Sequence, residues 1–211
     1  MIELRFRHVK QDDLQLLRYW RNFDHVRLSM ATPKLITVED QRRWFESLDL
    51  ETNVHFIYGL GETDIGSVNL SGVKKSEGTF EAGLYCGNNE YLTHWVNICA
   101  CLFIYDFAFD RLCLKVASAI ILDNNRSALS LNTSIGYRRM RQHAPGIGAF
   151  VLNRDDYLAR SKVLKRYLPI WLISFVPLIG PLVCLGNVLC IFRDSHACAH
   201  DDVAGSKVVP V

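Results

Sequence analysis

The stretch "YDFAFDRLCLKVASAIILDNNRSALSLNTSIGYRR", Tyr105 to Arg139, decides how this chain folds. Its periodicity changes several times within a few turns of chain. The opening "YDFAF" closes a segment that begins at "YLTHWVNICACLFIYDFAF" (Tyr91–Phe109), which reads as a loop running into an amphipathic helix. "KVASAIIL" (Lys115–Leu122) is β-branched, apolar and bounded by "DNN", the pattern of a buried strand. "RSALSLNTSI" (Arg126–Ile135) follows as a short helix that Gly136 stops, since glycine tolerates the left-handed conformation at a helix end.

Outward from that stretch the same reading extends to both sides. "IELRFR" (residues 2–7) alternates apolar and charged residues like a half-buried strand. "QDDLQLLRYWRN" (Gln11–Asn22) sets Leu14, Leu17 and Trp20 on one side of a helix. "TVEDQRRWFESL" (Thr37–Leu48) opens with Thr37 three residues before Asp40, a capping-box variant, and turns Trp44, Phe45 and Leu48 inward. "VHFIYGL", "IGSVNLSGV" and "TFEAGLYCG" are three strands separated by the turn-forming "GETD" and "KKSEG". After Gly136, "YRRMRQHA" and "GAFVLNR" are two closing strands around "PGIG". The order is a strand, two helices, a β-meander, then β-α-β-α-β-β. It predicts an α/β fold with a mixed, mostly antiparallel sheet flanked by helices.

At 211 residues, 49% hydrophobic and 22% charged, the chain is globular rather than disordered. Its net charge of +2 provides no basic field of the kind that binds nucleic acid. Seven cysteines without a CxxC pair point to a reducing compartment without a disulfide framework.

The element order and local motifs resemble the GCN5-related N-acetyltransferases (GNAT). "LRYWRN", "VRLSM" and "ITVEDQRRWFESL" look like the N-terminal half of its sugar-nucleotide and ribosomal-protein acetylating branches, and Tyr105–Arg139 looks like the second half. The resemblance covers roughly residues 2–153 and implies an acetyltransferase domain over residues 1–158.

It implies acetyl-CoA as co-substrate and an amine, on a small molecule or a nucleotide-linked amino sugar, as acceptor. The fourth strand, "GLYC", would hold the acetyl carbonyl on a backbone N–H, with the pantetheine arm pairing beside Leu84 and Cys86 as an added strand. The segment before "YDFAF" is a Gly-rich pyrophosphate turn in the family; here Thr93, Trp95 and Asn97 stand at the matching positions. The amides of Val96, Asn97 and Ile98 are the corresponding phosphate donors, and Ala100 keeps the small residue of helix–sheet packing. Asn125 matches the asparagine that bonds the cofactor arm; its alternative is a turn-forming Asn in "DNN".

Glu81 is the expected general base, against the alternative of a solvated strand glutamate. Where the family has its general-acid tyrosine stands Asn132, which leaves Tyr85 or solvent to protonate the thiolate. Arg21 and Asn22, with Met30 of "VRLSM", are the expected acceptor contacts. Arginine suits bidentate phosphate binding, while Arg21 also suits a helix C-terminus. Gln41 replaces a family histidine. The rival to an enzyme is an inactive GNAT fold kept as a membrane-bound scaffold.

The tail reads differently. From Pro169 to Phe192, 24 residues carry no charged side chain, enough to cross a hydrocarbon core of ~30 Å. Residues 159–168 read as a basic linker, 169–192 as a transmembrane segment and 193–211 as a polar tail. Arg160, Lys162, Lys165 and Arg166 before the run, against Arg193 and Lys207 after it, put the domain on the cytoplasmic side of a membrane. A kinked span at Pro177, Gly180 and Pro181, a re-entrant hairpin, or an apolar hairpin packed on a soluble domain are the alternatives. The segment from "LIGPLVCLGN" to "VAGSKVV" resembles the end of the RDD membrane family through Arg193, Asp201, Gly205 and Val208. His196, Cys198 and His200 lack structural-zinc spacing, and no metal is expected.

Overall fold

The computed structural model describes residues 4–175. Seven strands form one sheet in the order β1-β2-β3-β4-β5-β7-β6. β1 (Leu4–His8), β2 (Val54–Leu60), β3 (Thr63–Lys74) and β4 (Thr79–Cys86) make an antiparallel meander. β5 (Val116–Leu122), β7 (Ile147–Asn153) and β6 (Arg138–Ala144) form a second antiparallel set, closed by a tight turn at Pro145–Gly146. The two sets meet at the sheet's parallel pairing, β4 with β5.

That junction is short. Thr79, Phe80 and Glu81 pair with Val116, Ala117 and Ser118, and beyond Glu81 the strands part. The meander thus ends in a fork whose arms are Ala82–Cys86 and Ala119–Leu122.

Helices cover both faces of the sheet. On one side α1 (Leu14–Asn22) and α3 (Val38–Glu46) bury Leu17 and Trp20 with Ile57, and Trp44 and Tyr85 pack against them. α3 begins as the sequence dictates: the Asp40 N–H donates to Thr37 Oγ1 at 3.0 Å and the Thr37 N–H returns a bond to the Asp40 carboxylate. The short α2 (Asp24–Arg27) between them has no counterpart in the sequence reading, because four residues carry no period. Trp44, Phe45 and Leu48 are only half-buried, whereas Gln41 is the buried residue of α3.

On the other face lie α4 (Val96–Asp106), α5 (Arg126–Ile135) and α6 (Arg154–Phe175). α4 is not amphipathic. Val96, Cys99, Ala100, Cys101, Leu102, Ile104, Tyr105 and Asp106 are all buried, so the helix is enclosed nearly all round, which is where an all-round apolar helix belongs. It ends in a π-helical turn, Phe107–Arg111. α5 stops at Gly136, whose φ of 109° a side chain would strain.

Residues 159–166 are not a linker. They continue α6, which buries Tyr157 and Ser161 and packs Leu164 on the core. Lys165 donates to Asp106 Oδ1 at 2.7 Å, and the Tyr157 hydroxyl donates to the same oxygen at 2.8 Å. Lys165 therefore takes part in the polar contacts of the core. Among the described residues no helix is long and apolar enough to cross a membrane. Most of the apolar run, the RDD-like end and the His196–His200 cluster lie outside the described residues.

Candidate active site

The fork between β4 and β5 is the organising feature of the site. Gly87 N–H donates to Ile65 O, and the Tyr85 carbonyl faces β3, where Tyr58 reaches it. By strand alternation the backbone N–H and C=O of Leu84 and Cys86 point the other way, into the fork. A sheet edge of this kind accepts an extended chain by main-chain hydrogen bonding. The residues present thus fit a pantetheine arm.

Across the open ends of the fork lies a groove of about 420 Å³, lined by Asp24, His25, Leu28, Ser29 and the turn Asn124–Ser127. His25 Nε2 lies 3.0 Å from the Cys86 carbonyl oxygen. A carbonyl only accepts, so Nε2 carries the hydrogen and Nδ1 of the neutral ring is left as an acceptor. Nothing in the sequence signals His25: it sits alone in a four-residue helix, and its partner lies 61 positions away.

Glu81 is exposed at the base of the fork, in the last residue pair before the strands part. Gly83 and Tyr85 follow on the same face by alternation. The Tyr85 ring packs under α1 with Leu17, Trp20 and Ile57. Burial pushes its phenol up to about 12, while a hydrogen bond with Ser67 and the nearby Arg21 guanidinium act in the opposite direction. It stays protonated at neutral pH.

Arg21 lies beside that phenol. Its Nη1 is buried without a hydrogen-bond partner among the described residues, and burial lowers the guanidinium's affinity for its proton. A buried cation without a carboxylate partner is costly unless a ligand completes it. Asn22, by contrast, is structural: its side chain donates to Ile36 O at 2.9 Å and accepts from Ile36 N–H at 2.8 Å, stapling the chain ahead of α3. Met30 is half-buried and follows Ser29, whose carbonyl accepts from Asn125 Nδ2 at 3.4 Å.

Asn125 takes the turn role. Its Oδ1 caps α5 by accepting the Ala128 N–H at 3.0 Å, and its amide nitrogen ties that turn to Ser29. Asn132 bonds back to Ala128 O at 2.8 Å within its own helix.

The start of α4 differs most from its expectation. The Val96 N–H donates to His94 Nδ1, the Asn97 N–H to His94 O and the Ile98 N–H to Trp95 O. The three amides expected to hold phosphate are engaged within the loop itself. Asn97 turns inward, accepting from the Tyr58 hydroxyl at 2.7 Å and donating to Tyr91 O at 2.6 Å. The residues at this turn do not form a pyrophosphate cradle. Cys86, its thiol pushed up by burial, completes this cluster rather than acting as a nucleophile.

A three-layer fold of this topology, parted between β4 and β5, is that of an acyl-transferring domain, and the comparisons agree. A family model described as the acetyltransferase (GNAT) domain matches residues 3–138. The chain belongs to this family of acetyl-CoA-dependent acyltransferases. Among curated proteins none matches it.

Solved structures share the fold at low identity. Spermidine N-acetyltransferase from Vibrio cholerae, in complex with CoA and spermine, is 15% identical with a TM-score of 0.64, over 74% of this chain and 98% of that one. Apo FdhC, a nucleotide-linked sugar GNAT, is 18% identical with a TM-score of 0.66, over 79% and 95%. Campylobacter jejuni N-acetyltransferase PseH in complex with acetyl coenzyme A is 17% identical with a TM-score of 0.55, over 72% and 99%.

Proposed function

We propose that this domain acetylates the primary amine of a small acceptor that also carries an anionic group, a nucleotide-linked amino sugar being the favoured class. The observation that carries the acceptor reading is Arg21, whose buried Nη1 has no partner among the described residues. A polyamine would bring more positive charge beside it, whereas a phosphate supplies the bidentate acceptor a guanidinium suits. Of the relatives named above, one is a nucleotide-linked sugar GNAT and another a spermidine acetyltransferase; the orphaned cation favours the first kind of acceptor.

Acetyl-CoA supplies a thioester carbonyl. The chain's part is to hold that carbonyl against a backbone N–H on the fork-facing edge of β4 and to accept a proton from the acceptor's ammonium, so that the neutral amine attacks. Glu81, exposed at the base of the fork, is the base, acting directly or through one water. The new bond joins the amine nitrogen to the acetyl carbon, the carbon–sulfur bond breaks, and the thiolate takes its proton from Tyr85 or solvent.

Glu81→Gln should lower kcat/KM by about 10²–10⁴-fold while leaving acetyl-CoA binding unchanged. Release of CoA thiol, measured against a panel of UDP-amino sugars, plain amino sugars and polyamines, tests the acceptor class. A preference for polyamines, or no turnover of any amine, would sink the reading.

The uncharged Pro169–Phe192 run supports a second element of the proposal, that the domain is tethered to a membrane and faces the cytoplasm. Removing residues 169–211 should release the protein from the membrane fraction. Equal solubility with and without them counts against the tether.

A further inference from the structure

We infer that this protein recognises its acyl donor through the acylated pantetheine arm and does not read the adenosine diphosphate half of coenzyme A. The inference rests on the donor reading above and concerns which part of the donor carries affinity.

The two halves of a CoA site have different fates here. The fork keeps most of what the arm needs: the edge of Leu84 and the Cys86 N–H face the gap that opens past Glu81, the Cys86 carbonyl being held by His25. The loop ahead of α4 has lost what a diphosphate needs. Anion binding at a helix start requires successive N–H groups that are unbonded and directed outward.

From Tyr91 to Ile98 these groups are turned on the loop itself. Tyr91 N–H donates to Asn88 O, Leu92 to Asn89 O, His94 to Tyr91 O, Val96 to His94 Nδ1, Asn97 to His94 O and Ile98 to Trp95 O. Only the amides of Thr93 and Trp95 have no such bond among the described residues, and they are not adjacent. The Asn97 side chain locks the loop from within by donating to both Tyr91 O and Leu92 O. Trp95 packs its indole on the core and lies 5.0 Å from the His94 ring.

Charge leads to the same conclusion. From Ser76 to Asp110 the sequence contains neither lysine nor arginine. The loop's only formal charge is the carboxylate of Glu90, and burial depresses His94's tendency to protonate. A diphosphate seated here would meet the Glu90 carboxylate, no lysine or arginine of the loop itself, and amides that are mostly paired. Among the described residues the groove lining holds one arginine, Arg126 at the start of α5, together with His25.

Donors without the nucleotide should therefore bind about as well as the complete coenzyme. Isothermal titration of the full chain with acetyl-CoA and with acetyl-pantetheine measures this directly. Dissociation constants within about tenfold of each other support the inference, and a larger advantage for acetyl-CoA overturns it while leaving the donor reading intact. Displacement of bound acetyl-pantetheine by adenosine 3′,5′-bisphosphate also overturns it. If neither thioester binds, both the inference and the donor reading fail.

Discussion

Asn97→Ala tests whether the loop ahead of α4 is closed by its own hydrogen bonds. The Asn97 side chain accepts from Tyr58 and donates to the carbonyls of Tyr91 and Leu92. Tyr58 is 0% exposed, so the variant strands a buried hydroxyl whose other contact, to Tyr85 O, is long at 3.4 Å. Leaving a buried donor unsatisfied costs about 1–3 kcal/mol. The two loop carbonyls reach solvent, so their lost bonds add about 1 kcal/mol together, and the better helix propensity of alanine offsets about 0.5 kcal/mol. A net loss of about 2–3 kcal/mol lowers Tm by roughly 5–10 °C in a domain of this size.

Tyr58→Phe removes the stranded hydroxyl. In the double variant the two losses should therefore overlap by about 1 kcal/mol or more, read from urea unfolding of all four proteins. Strict additivity, or an Asn97→Ala variant within about 0.5 kcal/mol of the parent, would refute the account of the loop.

Three further outcomes follow from buried groups. Arg21→Met should leave stability unchanged or slightly raised, because it removes a half-buried guanidinium with no carboxylate partner among the described residues, and should raise KM for anionic acceptors about 10–100-fold with kcat little changed. His55 is held neutral by burial, with its pKa lowered from 6.5 to about 4. Above pH 6.5 its contribution is complete. As pH falls toward 4 the unfolded chain takes the proton first, and up to about 3 kcal/mol is lost, so His55→Gln should flatten this part of the stability–pH curve. Gly66→Ala would drive a methyl group into the Tyr85 carbonyl and to 2.5 Å from the Tyr58 hydroxyl. Because backbone must move, thermal unfolding should show a loss of about 3 kcal/mol.

Much of the fold was legible because it is local. Alternation found the strands, the Thr37–Asp40 pair marked the start of α3, and Gly136 ended α5 where its φ requires glycine. The membership of the family was legible for the same reason, since its motifs lie in chain order. α4 was misread as amphipathic because its buried surroundings come from several distant strands and from α6, and the burial of Asp106 under Tyr157 and Lys165 cannot be seen in a window of twenty residues. Lys165 looked like one basic residue among four; its partner lies 59 positions earlier.

The site was legible in identity more than in role. Asn22 and Asn125 were singled out as ligand contacts and Asn97 for its backbone amide; in the structure all three side chains hold backbone, at Ile36, at Ala128 with Ser29, and at Tyr91 with Leu92. A short amide side chain competes equally well for either task, and only the folded neighbourhood decides. Arg21 followed the other course. Its lack of a carboxylate partner is a property of the assembled interior and makes the residue more informative than its letter alone.

The three-pair seam between β4 and β5 has a mechanical corollary. So few ladder bonds cannot fix the angle at which two half-sheets diverge. That angle is set by what is wedged beneath them: Phe80 and Ala117 across the seam, and the Tyr105 and Phe109 rings of the central helix and its π-turn, with Phe80 5.3 Å from Phe109. The width of the fork is thus a matter of interior volume. Trimming or enlarging one of these buried rings will widen or narrow it.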